Sequence, residues 1–197
     1  MFTGIIENFV IVKNLQKEKN NLHITLKSIL ASELKINQSI AHNGACLTVV
    51  EIGKNEYVVT AIEETINKTN FKFLKIGDKI NIERAMLQNQ RIDGHWVQGH
   101  IDQTAECTSI KNSNGSWIFS FKYDSKLKNI TIEKGSITIN GVSLTVINSQ
   151  KDTFSVAIIP YTYENTNFHQ LKVGGIVNLE FDIIGKYITK MYSMGYK

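Results

Sequence analysis

Four small polar side chains stand at matching places in two similar segments. Cys46 and Thr48 follow the dipeptide Asn43-Gly44, and Ser143 and Thr145 follow Asn140-Gly141. Both residues of an Asn-Gly pair tolerate positive φ, so each segment reads as a tight turn leading into a strand. Alternation along those strands sends Ala45, Leu47 and Val49, like Val142, Leu144 and Val146, to a core. The polar four then share the opposite face. Such a pair can hydrogen-bond a flat heterocycle; the plainer account is that small hydroxyls satisfy nearby backbone. Cys46 against Ser143 makes the two floors unlike, as two different ligand roles would require. Cys46 itself reads as a nucleophile or as pocket lining, since a buried thiol is often only a small apolar group.

A second cluster is Gly94-His95-Trp96-Val97-Gln98-Gly99-His100-Ile101-Asp102. Its two histidines lie five apart and fall on opposite faces of a regular strand. With His23, His42 and His169 they complete no metal-ligand spacing, so no metal site is expected. His100, beside Gly99, is the candidate for proton transfer near neutral pH. No G-x-S-x-G elbow, phosphate-binding loop or βαβ unit is present.

The elements that carry these residues occur twice. Ser39-Ile40, Asn43-Gly44, Leu47-Thr48-Val49, Thr69-Asn70-Phe71 and Asn81-x-Glu83 each return 97 positions later. Ahead of that block the offset is 95, setting Gly4-x-Ile6-Glu7 against Gly99-x-Ile101-Asp102. Expected strands are 5–12, 21–27, 38–42, 45–52, 57–62 and 79–84, then 101–110, 116–123, 136–139, 142–148, 153–159 and 176–181. Six short strands per copy, with a helical turn near 65–74 and again near 162–171, suggest a small closed all-β barrel, since closure removes exposed edges. The division expected is 1–96, 97–183 and a helical tail over 184–197. In that tail Ile184, Tyr187, Ile188, Met191 and Gly195 form a stripe that reads either as an oligomer contact or as packing on its own barrel.

The 197 residues carry 42% hydrophobic and 20% charged residues, ordinary for a globular protein, and a net charge of +4 too scattered for a nucleic-acid surface. Cys46 and Cys107 occupy unlike positions, which disfavours a disulfide framework. The opening residues lack a basic segment and no apolar run is of membrane-spanning length, so a cytoplasmic protein with reduced thiols is expected.

Residues 1–7 (Met-Phe-Thr-Gly-Ile-Ile-Glu), His42 to Val49, Gly94 to Asp102 and Asn140 to Val146 closely resemble the riboflavin synthases of the alpha-chain type. The resemblance runs from Met1 to about Lys190. It implies two tandem six-stranded Greek-key barrels with a C-terminal helix, assembled as a homotrimer whose sites lie between subunits. The implied reaction is that of a transferase. Two molecules of 6,7-dimethyl-8-ribityllumazine dismutate by four-carbon transfer to riboflavin and 5-amino-6-(ribitylamino)uracil, without metal or redox cofactor. Association with lumazine synthase is a further possibility of the family.

Carried over by position, the first barrel would bind substrate with Phe2, Gly4, Ile5, Ile6, Cys46, Leu47 and Thr48 and with Thr60, Ala61, Ile62, Glu63, Glu64 and Thr65. The second would use Gly99, His100, Ile101, Lys134, Ser143, Leu144 and Thr145 and Ile159, Pro160, Tyr161, Thr162, Tyr163 and Glu164. Catalytic roles fall to His100, Ser143, Thr145, Cys46 and Asp182. Lys134, whose match in the first copy is Asn37, suits an anionic ring. Ala45 stands where a second cysteine can precede Cys46, and Asn140 where aspartate is common. Lumazine proteins, which hold one chromophore and perform no chemistry, are the competing relatives; a flavin-binding oxidoreductase barrel is a distant third.

Overall fold

The computed structural model describes residues 1–195. The first closed barrel contains β1 (Asn8–Glu18), β2 (Asn21–Lys27), β3 (Ser39–His42), β4 (Ala45–Ile52), β5 (Glu56–Ala61) and β6 (Lys79–Arg84). The second contains β7 (Gln103–Ser113), β8 (Ser116–Tyr123), β9 (Ser136–Ile139), β10 (Val142–Ile147), β11 (Thr153–Ile158) and β12 (Ile176–Phe181). Every pairing is antiparallel, and around the first barrel the order is β1-β2-β5-β4-β3-β6, which the second repeats: a Greek key.

Local chemistry explains the hairpins. Asn43 and Gly44 have φ of 45° and 82°, and Asn140 and Gly141 have 46° and 83°, the left-handed pair that a two-residue hairpin needs. Leu47 faces Ile40 and Leu144 faces Ile137 across those hairpins. Ala45, Leu47, Val49, Val142 and Val146 are buried, and Leu144 packs partly buried against the second core. That second core is the more aromatic, with Phe119, Phe121, Tyr123, Phe154, Phe168 and Phe181.

Short helices α1 (Glu63–Lys68) and α2 (Pro160–Asn165) each lead into a 3-10 turn, at Asn70–Phe73 and Asn167–Gln170. Helix α3 (Ile183–Ser193) starts one residue before the stripe and ends before Gly195, whose φ of 81° places it beyond the helix rather than on the stripe. Ile184, Tyr187, Ile188 and Met191 are 52–66% exposed, so the stripe does not pack on its own barrel. An ion pair from Lys186 Nζ to Asp102 Oδ2, at 3.0 Å, ties α3 to the second barrel.

The expected strands beginning at Ile5 and Ile101 start later, at Asn8 and Gln103. At those starts side chains stand in for ladder bonds: Glu7 Oε1 accepts from Arg84 N–H at 2.6 Å and Asp102 Oδ2 from Phe181 N–H at 2.8 Å. The barrels meet at a pseudo-two-fold seam of asparagines. Asn81 Nδ2 donates to the Asn140 carbonyl and Asn178 Nδ2 to the Asn43 carbonyl, both at 2.9 Å. Asn70 N–H donates to Asn178 Oδ1 at 2.6 Å, and Asn167 N–H to Asn81 Oδ1 at 2.7 Å. A Cβ on Gly44 would lie 2.9 Å from the Gly141 nitrogen, so the glycines let the two turns touch.

Candidate functional site

Two backbone straps complete the polar floors, and each crosses to the other copy's barrel. Glu83 on β6 accepts from Thr3 N–H at 2.6 Å, the Thr3 hydroxyl at 2.8 Å and Gly4 N–H at 2.9 Å. Glu180 on β12 accepts from Gln98 N–H at 2.6 Å and from Gly99 and His100 N–H at 2.9 Å each. Burial pushes both carboxyls above the usual range, and the strap N–H groups pull them back. With its N–H groups held, each strap turns its carbonyl outward. Gly4 O accepts from Ser143 N–H and Gly99 O from Cys46 N–H, both at 2.8 Å. The straps also pair with each other, Phe2 bridging Val97.

These contacts correct the grouping drawn from position. Gly4, Ile5 and Ile6 belong with Ser143, Leu144 and Thr145 of the second barrel, and Ile6 packs against that core. Gly99, His100 and Ile101 belong with Cys46, Leu47 and Thr48 of the first, where Ile101 packs. Phe2 stays by the first floor, buried with Ala41, Val97 and Cys46. Close approach demands glycine in both straps: a Cβ on Gly4 would lie 2.6 Å from Ser143 Cβ, and on Gly99 2.7 Å from Cys46 Cβ.

Cys46 and Ser143 are half-buried, and Thr48 and Thr145 exposed. The imidazole of His100 is exposed and takes no hydrogen-bond partner among the described residues; its backbone N–H carries its only anchoring. Thr60 Oγ1 lies 2.9 Å from His23 Nδ1, and His23 Nε2 lies 3.0 Å from Glu18 Oε2. Ala61 is buried, Ile62 is the exposed N-cap of α1, and Glu63 and Glu64 form its first turn above Thr65. In the second barrel Ile159 caps α2 and Pro160 opens it, with Tyr161 and Glu164 exposed. Thr162 accepts from the Thr166 hydroxyl through its carbonyl, and Tyr163 stacks on Trp117 at 3.9 Å. Ile62 matches Ile159, so the windows 60–65 and 159–164 stand two residues out of register. Lys134 is exposed in the turn before β9, with its N–H bonded to the Val146 carbonyl.

Asp182 caps α3, accepting from Ile184 N–H at 2.8 Å, and its charge acts on His95. His95 is the functional candidate that sequence reasoning passed over. Its Nδ1 lies 2.7 Å from Ser143 Oγ and its Nε2 3.2 Å from Thr138 Oγ1. Desolvation lowers its pKa, against the opposing pull of Asp182. The clue lay in Gly94, where any Cβ would run into the Thr3 carbonyl. Asn140 sits in the seam, bonded through Oδ1 to Asn178 N–H at 2.9 Å. Both cysteines are free; burial pushes the Cys107 thiol up to about 11. Among the described residues no group of three or more His, Cys, Asp or Glu is placed to hold a metal.

Two copies of one closed barrel, each finished by the other's strap and bearing an unlike polar floor, define a duplicated-barrel protein. The lumazine binding domain family matches it twice, over residues 3–85 and 98–182. Riboflavin synthase of Bacillus subtilis (strain 168) is 40% identical over 96% of this chain and 89% of its own length. That of Actinobacillus pleuropneumoniae is 41% identical over the same shares. A crystal structure of LumP complexed with riboflavin superposes with a TM-score of 0.85 at 25% identity, over 92% of this chain and 100% of that one. The chain belongs to the riboflavin synthase family of lumazine-binding-domain proteins.

Proposed function

We infer that the chain is a riboflavin synthase, a transferase that dismutates two molecules of 6,7-dimethyl-8-ribityllumazine to riboflavin and 5-amino-6-(ribitylamino)uracil. The observation that carries this is the pair of unlike floors, Cys46–Thr48 with Gly99–His100 and Ser143–Thr145 with Gly4–Ile5, in a chain 40% identical to such an enzyme. Joining two like molecules is a problem of orientation, and fixing both can remove roughly 7–11 kcal/mol of barrier. One molecule donates four carbons and the other accepts them, so two chemically different floors suit the task better than two identical ones.

A homotrimer in the cytoplasm, with sites between subunits, is the assembly we propose. Three features support it. The α3 stripe is exposed, the groove beside it is lined by Ile130, Ile132, Ile184 and Ile188, and apolar residues around the floors are uncovered: Ile62 at 54%, Ile159 at 58% and Tyr161 at 73%. A neighbour's barrel laid on those residues would shut water out and could bring Lys134 to the other floor. No described helix is long and apolar enough to cross a membrane. Residues 1–96, 97–183 and 184–197 remain our division of the chain, with each strap serving across the first boundary. Association with lumazine synthase would place this trimer beside its source of substrate.

The test is to incubate the chain with 6,7-dimethyl-8-ribityllumazine alone and to follow riboflavin absorbance with product analysis. Riboflavin and the pyrimidine in equal amounts are expected. Tight binding of one ligand per chain without turnover would instead make it a chromophore carrier, the reading that its likeness to LumP favours.

A further inference from the structure

The hydrogen bonds around His95 assign the direction of the protons between Thr138, His95 and Ser143. Thr138 is fully buried, and the one partner its hydroxyl has among the described residues is His95 Nε2. Were Nε2 protonated, the Thr138 hydroxyl would accept from it and leave its own proton buried with no acceptor, a costly arrangement. Thr138 therefore donates to Nε2. In the neutral ring that places the remaining proton on Nδ1, which donates to Ser143 Oγ 2.7 Å away. One oxygen lone pair of Ser143 is thus occupied and its backbone N–H is bound to the Gly4 carbonyl, so its own O–H is directed away from the protein.

We propose that His95 is a positioning residue, locked as the Nδ1–H tautomer by Thr138, that makes Ser143 a hydrogen-bond donor to the ligand rather than a base. The group that Ser143 recognises is then an acceptor of the bound heterocycle, a ring nitrogen or a carbonyl oxygen. His95 has neither ring nitrogen left for substrate, and removal of a substrate proton falls to another group. The first floor is built differently: among the described residues Cys46 Sγ takes no hydrogen bond from an imidazole, and His100 is exposed. The two floors would thus differ in hydrogen-bond polarity as well as in the atom they present.

This assignment rests on the dismutation reading only for what the ligand is, and its test begins without ligand. Ring-nitrogen NMR of the labelled, ligand-free chain should show His95 neutral and protonated at Nδ1. Thr138→Val, nearly isosteric, should release that tautomer. Next come two substitutions at His95. Asparagine sets an amide nitrogen where Nδ1 stands, whereas glutamine sets one nearer Nε2. His95→Asn should therefore retain most of kcat/KM and His95→Gln lose about tenfold or more, the loss falling on binding and turnover alike. If His95 acts through Ser143, adding His95→Gln to Ser143→Ala should cost nothing further. An Nε2–H tautomer, a Thr138→Val chain with unchanged His95 signals, or additive losses would each overturn the proposal. If no riboflavin forms, lumazine affinity replaces kcat/KM as the readout and the tautomer result stands on its own.

Discussion

At the scale of single residues the molecule separates groups that hold position from groups that titrate. His42 is wholly enclosed, with Nδ1 3.1 Å from the Ile40 carbonyl and Nε2 2.8 Å from the Tyr57 hydroxyl. Burial drops its pKa to about 3 from 6.5, so the unfolded chain binds this proton first as pH falls. The neutral histidine contributes stability in full above pH 6.5 and loses it between 6.5 and 3, by up to about 1.4 kcal/mol per pH unit. Urea midpoints measured from pH 7 to pH 4 should fall for the native chain and much less for a His42→Gln variant that still folds. Gly99→Ala meets both a φ of 82° and the Cys46 side chain; a loss of about 1–3 kcal/mol is expected in denaturant titration, with slowed riboflavin formation.

Elements show why some features were legible in the sequence and others were not. Strand β4 was readable because its alternation and its Asn-Gly turn are local, and its limits at Ala45 and Ile52 match the expectation. The helical stripe was readable too, although only the structure shows it uncovered. The straps were not readable, since the carboxylate that holds the Thr3 and Gly4 N–H groups lies about eighty residues away, at Glu83. For the same reason Gly4 was placed beside Cys46 when it serves Ser143, and His95 was passed over for His100. A histidine's partners are set by tertiary contact, which spacing does not report. Helix α3 leans on its barrel through Lys186 and Asp102, a pair with side chains 24% and 19% exposed. Lys186→Met should cost about 1 kcal/mol and raise hydrogen exchange in α3. Removing residues 183–197 should leave the barrels folded, but sedimentation should find a monomer with activity lost.

Across the whole molecule the asparagine seam treats the two copies as equals. Asn81 and Asn178 make matching bonds to the opposite turn, and both are fully buried. Asn81→Leu and Asn178→Leu are each expected to lose roughly 2–4 kcal/mol, because each leaves a buried carbonyl and a half-buried N–H unpartnered. Thermal scans should find the two losses alike, and the double variant should cost less than their sum. The crossed straps have a consequence for how the chain comes off the ribosome. The first barrel can close as soon as β6 emerges, yet the Cys46 amide stays without its acceptor until residue 99 follows. Gly4, made at the very start, must wait for Ser143 before its carbonyl is used. Because the strap bearing Gly99 is itself held by Glu180 of β12, synthesis from the N-terminus leaves both floors unfinished until the second copy has been made. A nascent first barrel has a fold but no working site, and completion of the two sites is a single late event.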